Sequence, residues 1–330
     1  THDNVLFFST GGKVYKLKVY KLPIANAQGK GRSLMNIFPL QEHEKINEVV
    51  ILPGNEEEWQ DLNIMFATNK GGVRRNSLDD FKSVQSNGKI AMKLQGEDKI
   101  IGVSVCRPGD HVFLAAWKGR CVRFPVEAIR VFKGRESDGV RGIRLAEDDR
   151  LISMSIVSGA EFTYEERDDY LKIPLENRLE IAETSVLGDV NPEEYNLTEE
   201  KIIALAMSEE FILTLSENGF AKRSSAYEYR VTNRGGSGVV NMVTSERNGS
   251  IVASMPILPT EDLLMITNRG TVIRCPVKDV RVSGRATQGV TVLKTSSKEI
   301  VVSVEKIPAE DDVDSDDENN EVDVIESNEE

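Results

Sequence analysis

Five basic residues, Lys16, Arg75, Arg123, Arg223 and Arg274, each stand four positions after a glycine: Gly12, Gly71, Gly119, Gly219 and Gly270. Lysine and arginine make up 41 of 330 residues, too few to fill five equivalent places by composition alone. Cations repeated at a regular interval suit a regularly repeating anion, such as the phosphates of a nucleic acid. A second glycine follows each anchor (Gly31, Gly88, Gly139, Gly238, Gly289), with further cations beside it: Lys30 and Arg32, Lys89, Arg135 and Arg141, Arg234, Arg285. Few aromatics are interleaved with them. That pattern disfavours stacking on single strands and favours the backbone of bent duplex DNA. The competing reading is that each stem packs over a neighbouring unit and carries its charge outward.

The elements that must position these cations repeat as well. The anchors lie 59, 48, 100 and 51 residues apart, so the long interval reads as one unit plus an insertion of similar size. "FFSTGGKVYKLKV" (7–19), "FATNKGGVRRN" (66–76), "LAAWKGRCVRF" (114–124), "TLSENGFAKRS" (214–224) and "ITNRGTVIRCPV" (266–277) each read as strand, glycine turn, strand. The anchor supplies the positive φ of a tight hairpin. After the second glycine come strand-like runs, "SLMNIF", "KIAMKL", "VRGIRL", "VVNMV" and "VTVLK", and then a closing run such as "IIGVSV" (100–105). A four-stranded sheet of about fifty residues cannot cover both its faces, whereas blades stacked radially cover one another. The expected fold is all-β, a propeller-like ring of five to six four-stranded blades. Two residues after each anchor stand Val14, Val73, Cys121, Ala221 and Val272, always small and apolar. Strand alternation puts them on the same side as the cations, which predicts a bulge or a departing strand between them.

The net charge of −13 conceals an asymmetry. Residues 310–330 hold 12 acids and no base, and without them the net is −1. Residues 160–209 carry a further net −10, so the remaining body is +9. A basic body with two acidic attachments points to a polyanionic partner. The tail should be disordered, a competitor for the cations or simply a solubilising segment. In the insertion, "FTYEERDDYLKI" suggests an amphipathic helix, "KIIALAM" a return to the β-unit, and the whole an acidic, partly ordered excursion.

Cys106, Cys121 and Cys275 fit no disulfide framework or metal spacing and read as buried thiols. His2, His43 and His111 are scattered, and no nucleotide or hydrolase fingerprint occurs. The expectation is no catalytic centre, no metal and no cofactor in this chain. The absence of a long apolar run or leader leads us to expect a cytoplasmic, nucleoid-associated protein with no membrane partner, and the opening Thr1 a fragment or processed product.

"KVYKLKVYKLP" (13–23), "MNIFPL" (35–40), "GVRGIRL" (139–145), "SENGFAKRSSAYEYR" (216–230) and "ITNRGTVIR" (266–274) resemble the C-terminal domain of DNA gyrase A. The resemblance runs over about 3–308 outside the insertion and includes the acidic tail. It implies a β-pinwheel that wraps duplex DNA with positive handedness. The holoenzyme, a heterotetramer of gyrase A with gyrase B, can then introduce negative supercoils, with ATP and Mg²⁺ acting elsewhere. The family's Gln-Arg-Arg-Gly-Gly-Lys-Gly box is missing, so the chain reads as starting after the first blade. "NRGGSG" (233–238) and "QGKG" (28–31) are lookalikes in other places. The domains are expected at 1–309 for the pinwheel (repeats about 3–58, 62–109, 110–159, 200–260 and 261–309, insertion about 160–199) and 310–330 for the tail. Two other readings are the equivalent domain of topoisomerase IV, guiding substrate choice, and a propeller-type protein-interaction scaffold.

Overall fold

The computed structural model describes residues 2–24, 31–52, 54–134, 137–159, 162–296 and 298–309. The expected disordered tail, and with it Lys30 and Arg135, lie outside them. The first unit holds β1 (Asn4–Ser9), β2 (Lys13–Lys18) and β3 (Ile46–Ile51). The second holds β4 (Asn63–Thr68), β5 (Gly72–Ser77), β6 (Lys89–Ile90) and β7 (Ile100–Cys106). The third holds β8 (His111–Ala116), β9 (Arg120–Pro125), β10 (Val140–Arg141) and β11 (Leu151–Val157). Helices α1 (Tyr164–Tyr170), α2 (Leu175–Thr184) and α3 (Glu199–Met207) follow. The fourth unit holds β12 (Phe211–Ser216), β13 (Phe220–Ser225), β14 (Val239–Val240) and β15 (Ile251–Ile257). The fifth holds β16 (Glu261–Thr267), β17 (Val272–Pro276), β18 (Val290–Thr291) and β19 (Val301–Pro308).

Sheets and units do not coincide. The sheet orders are β3-β1-β2-β6, β7-β4-β5-β10, β11-β8-β9-β14, β15-β12-β13-β18 and β19-β16-β17. The outer strand of each of the first four blades is thus two residues lent by the following unit. The fifth blade has three strands among the described residues, and β17 is its open edge. The run "SLMNIF", expected as a strand, instead contains a 3₁₀ turn at Leu34–Asn36, started by Ser33, whose hydroxyl accepts from the Met35 N–H. The expected bulge is also absent. Each anchored hairpin pairs regularly, with Phe8 opposite Val14 and Leu6 opposite Lys16 in the first blade. The register shifts fall instead between the first and last strands of every blade, at Phe8/Ser9, Ala67/Thr68, Leu151/Ser153, Leu215/Ser216 and Ile266/Thr267.

The cores lie between blades. Leu6, Phe8 and Val14 pack on Ile64, Phe66 and Phe81 of the second unit, and Ala67 and Val73 pack on Leu114 and Phe124 of the third. Cys121 meets Ile212 and Tyr229, and Ala221 meets Leu263 and Val280. The position two after each of these four anchors is small because the next blade stands there. Strands β3, β7, β11, β15 and β19 lie side by side around the axis. Glu48 on β3, of the first blade, lies near enough to Glu305 on β19, of the last, to feel its charge. Burial and then that neighbouring charge push Glu48 up to about 7. Cys106 and Cys121 are buried thiols pushed up to about 12 by burial, while Cys275 is only half-buried.

The insertion is more ordered than its composition suggests. "KIIALAM" belongs to α3, begun by Thr198, whose hydroxyl accepts from the Lys201 N–H, so the fourth blade begins at Phe211 and not at 200. Tyr170, Ile173, Ile181, Ile202 and Leu205 form its own core, seated on Tyr227.

Gly71 and Gly270 share a φ of +81, but a Cβ on Gly71 would lie 2.9 Å from the Ile143 carbonyl oxygen whereas one on Gly270 would meet nothing. Gly270→Ala should cost only the left-handed strain of about 1–2 kcal/mol. Gly71→Ala should cost clearly more in denaturant melts, because the incoming unit's backbone must move. For Glu48, a carboxyl raised on folding penalises the folded state increasingly as pH climbs through the interval from about 4.5 to about 7. Glu48→Gln should therefore raise the melting temperature at pH values above 7, with the gain fading as pH falls towards 4.

Candidate nucleic-acid interface

Lys16, Arg75, Arg123 and Arg223 sit on the side of the hairpin that faces the next blade, and the side chains of Lys16, Arg123 and Arg223 are clamps across that interface. Lys16 Nζ donates to Glu56 Oε1 at 2.8 Å and to the Lys82 carbonyl at 2.9 Å, and lies 4.7 Å from the Trp59 ring centre. Arg123 is 2% exposed. It donates from Nε to His111 Nδ1 (3.0 Å), from Nη1 to the Ala226 carbonyl (2.7 Å) and from Nη2 to the Ser158 carbonyl (2.9 Å). Burial, and then the Arg123 charge, hold His111 down to about 4, so it accepts that bond as a neutral ring. Arg223 Nε donates to the Val280 carbonyl at 2.6 Å. Arg75 is buried beside Cys106, and its carbonyl accepts from the Phe132 N–H at 2.8 Å. Arg274, on the last blade, turns to its own unit and bonds Asp262 Oδ2 at 2.6 Å.

The expectation that these five line an outer rim is corrected for Arg75 and Arg123, which are buried, while Lys16 and Arg223 are half-buried and Arg274 is exposed. The acceptors Lys82, Ala226 and Val280 lie within or just beyond the short 3₁₀ turns of the next unit, where carbonyls lack helical partners. A cation at this place satisfies them, and that requirement accounts for its recurrence. The reading in which the stem packs over a neighbouring unit holds for Lys16, Arg123 and Arg223.

The preceding position also carries buried cations, which sequence reasoning missed. Arg74 and Lys222 are fully buried on the opposite side of their strands. Arg74 Nη1 donates to the Ser137 carbonyl at 2.6 Å, and its Nη2 donates to the Gly134 carbonyl. Lys222 Nζ donates to the Gly284 carbonyl at 3.0 Å and to that of Arg285, with burial lowering its pKa to about 8. Both hold the loop that precedes the next unit's second glycine. The paired bases in "VRRN" and "AKRS" were the only signal.

Those loops form the exposed periphery. Gln95 Nε2 donates to Asp138 Oδ2 at 2.5 Å, the Gly235 N–H to the Gly142 carbonyl at 2.6 Å, and the Val243 N–H to the Thr287 carbonyl at 3.3 Å. Loop touches loop around the outside, making a belt. Among the cations expected beside the second glycines, Arg32, Arg141 and Arg234 are exposed. Arg234 is brought against Arg141, donating from Nη1 to its carbonyl at 3.2 Å. Lys89 and Arg285 lie inward, bonded to the carbonyls of Asp80 and Ser83 and of Glu228 and Val240. Exposed Lys93, Arg144 and Lys294 share one place, five residues past the second glycine, and went unnoticed for want of any motif. No cluster of His, Cys, Asp or Glu among the described residues could hold a metal ion. Among the described residues no helix is long and apolar enough to cross a membrane.

Blades that exchange their outer strands, bounded by a loop belt carrying exposed cations, define a propeller-like ring of the pinwheel kind. The family model described as the DNA gyrase C-terminal domain, β-propeller, matches residues 3–52, 62–107, 110–158, 210–257 and 261–308, and the chain belongs to that family. The match omits the insertion helices. The chain is 52% identical over 314 residues to the DNA gyrase A of Rickettsia bellii (strain RML369-C), covering 94% of this chain and 34% of that protein. To the DNA gyrase A of Haemophilus influenzae (strain ATCC 51907 / DSM 11121 / KW20 / Rd) it is 37% identical over 318 residues, 96% of this chain and 33% of that one. It thus spans about a third of the length of the gyrase proteins it matches. Two solved structures share the fold. The C-terminal domain of DNA topoisomerase IV has a TM-score of 0.70 at 20% identity, covering 94% of this chain and 80% of that one. The DNA gyrase A C-terminal domain has a TM-score of 0.66 at 21% identity, covering 93% and 83%.

Arg123→Ala should destabilise the ring by about 3 kcal/mol, because buried carbonyls lose their donors. The paired variant Arg141→Ala/Arg144→Ala should leave the melting temperature unchanged. Thermal unfolding of both proteins separates clamp from surface.

Proposed function

We propose that this chain binds and bends duplex DNA along the loop belt, as the non-catalytic wrapping domain of a gyrase A protein. The observation that carries the reading is the belt itself. It presents exposed Arg141, Arg144 and Arg234 on adjoining loops, with Lys93 and Lys294 on the loops to either side. Contacts from these groups would go to phosphates, which fix position without reading sequence. Lys16, Arg123 and Arg223 would serve the same end indirectly, by holding neighbouring blades at a fixed angle, while the exposed Arg274 could meet the duplex directly. Wrapped with positive handedness, the duplex would be presented to the strand-passage machinery in the rest of gyrase A and in gyrase B. ATP and Mg²⁺ would act there, in a cytoplasmic, nucleoid-associated enzyme, and the holoenzyme would introduce negative supercoils. No step of that chemistry is assigned to this chain.

Nicked circular DNA sealed by ligase in the presence of increasing amounts of the chain should show a positive shift in linking number. Affinity should fall steeply with salt, with a slope near −0.9 for each phosphate neutralised. Binding without a shift would leave a bending or guiding surface, as expected of a topoisomerase IV-type domain. Retention of full affinity in Lys93→Ala/Arg141→Ala/Arg144→Ala would move the path off the belt.

A further inference from the structure

Three of the blade-to-blade connections close in one way. The Arg107 N–H donates to Asp110 Oδ2 at 2.7 Å, and the Leu258 N–H to Glu261 Oε2 at 2.7 Å. At the third connection the Ser158 N–H donates to Glu210 Oε2, also at 2.7 Å. The insertion therefore loops out of a turn that is complete without it, and the ring gains nothing in connectivity from the helices.

The helices lie across one face of blades three and four, from axis to periphery. The α3 C-terminus reaches the axis, where Met207 lines a cavity of about 640 Å³ with Ser104, Met154, Met255 and Lys306 of the four inner strands β7, β11, β15 and β19. The α3 N-terminus is tied to α1 by Lys201 and Glu166 at 3.2 Å. The α1 end reaches the periphery, where Tyr164 Oη donates to the Val231 carbonyl at 2.8 Å, at the root of the belt loop that carries Arg234. Each of the insertion's four cations is engaged by an insertion carboxylate: Arg167 by Asp168, Lys172 by Asp169, Arg178 by Glu209 and Lys201 by Glu166. The remaining carboxylates among the described residues, Glu165, Glu199 and Glu200 at the outer end among them, are exposed.

We propose that the insertion is an electrostatic fence, which keeps duplex DNA off this face at blades three and four and so fixes the side on which the duplex crosses the belt. The proposal rests on the DNA-binding reading above. Phosphates within a Debye length of the uncompensated carboxylates are repelled, while the belt loops beyond attract them. A duplex confined to one side over two blades must climb relative to the ring, and that climb contributes to the handedness of the wrap.

The test compares the full chain with two variants. In one, Glu165→Gln, Glu199→Gln and Glu200→Gln remove charge and keep the helices. In the other, Ser158 is joined to Glu210 through Pro-Gly, restoring the turn made by residues 107–110. Excision uncovers Tyr227, so the charge variant carries the conclusion if the excised chain does not fold. The expected result is affinity for a duplex raised about fivefold at about 50 mM potassium chloride, with the gain lost by about 300 mM. Hydroxyl-radical footprints should lengthen, and the linking-number shift per bound chain should fall. If the parent chain binds and shifts linking number but both variants match it in footprint and affinity, the fence is refuted while the wrapping reading stands. A parent chain that binds no duplex would overturn both.

Discussion

Each hairpin leaves one strand edge that its own unit cannot pair, and the whole ring follows from how that edge is filled. An open edge exposes donors and acceptors that will pair with whatever strand arrives. Here the following unit supplies it: Lys13 pairs with Ile90, Val73 with Val140, Cys121 with Val239 and Ala221 with Val290. The borrowed strand brings its backbone against the anchor glycine, so the anchor must lack a side chain as well as adopt positive φ. It also brings the next 3₁₀ turn under the end of the strand, where the clamp cation meets its carbonyls. Glycine, small residue and cation are three consequences of one pairing.

What could be read from the sequence was what acts locally. The positive φ of Gly12, Gly71, Gly119, Gly219 and Gly270, the hairpins and the blade count are written in short stretches, because turn sterics and strand alternation need only neighbours. The direction of the cations was not legible. Arg123 on a solvent face and Arg123 between blades leave the same periodicity, and only the place of the next unit distinguishes them. The bulge expected beside it arose from the same omission: a charge and a small apolar residue on one side look inconsistent until a wall of carbonyls is known to stand there. "KIIALAM" was ambiguous for a different reason. A short apolar run behind a lysine suits strand or helix equally, and the deciding signal was the Thr198 cap with Glu199 and Glu200 in the first turn.

The clamps also change the meaning of the charge count. Arg74, Arg75, Arg123 and Lys222 are buried, so part of the body's basic excess is taken up by internal carbonyls. The field that a distant polyanion meets comes from the belt loops and from the acidic helices, which adjoin at Val231. The exposed basic surface among the described residues is thus narrower than the sequence suggests.

The exchange of outer strands also sets an order in time. During synthesis a hairpin that has left the ribosome waits with its edge open until the following unit emerges, so each blade is completed by the chain made after it. For the third blade the wait spans the whole insertion, since the partner of Cys121 is Val239. A three-helix module with its own core can fold during that interval and cover the apolar surface of the unfinished blades. The edge of β17 meets no later unit among the described residues. Among the five units its completion is the one pairing that no following unit supplies.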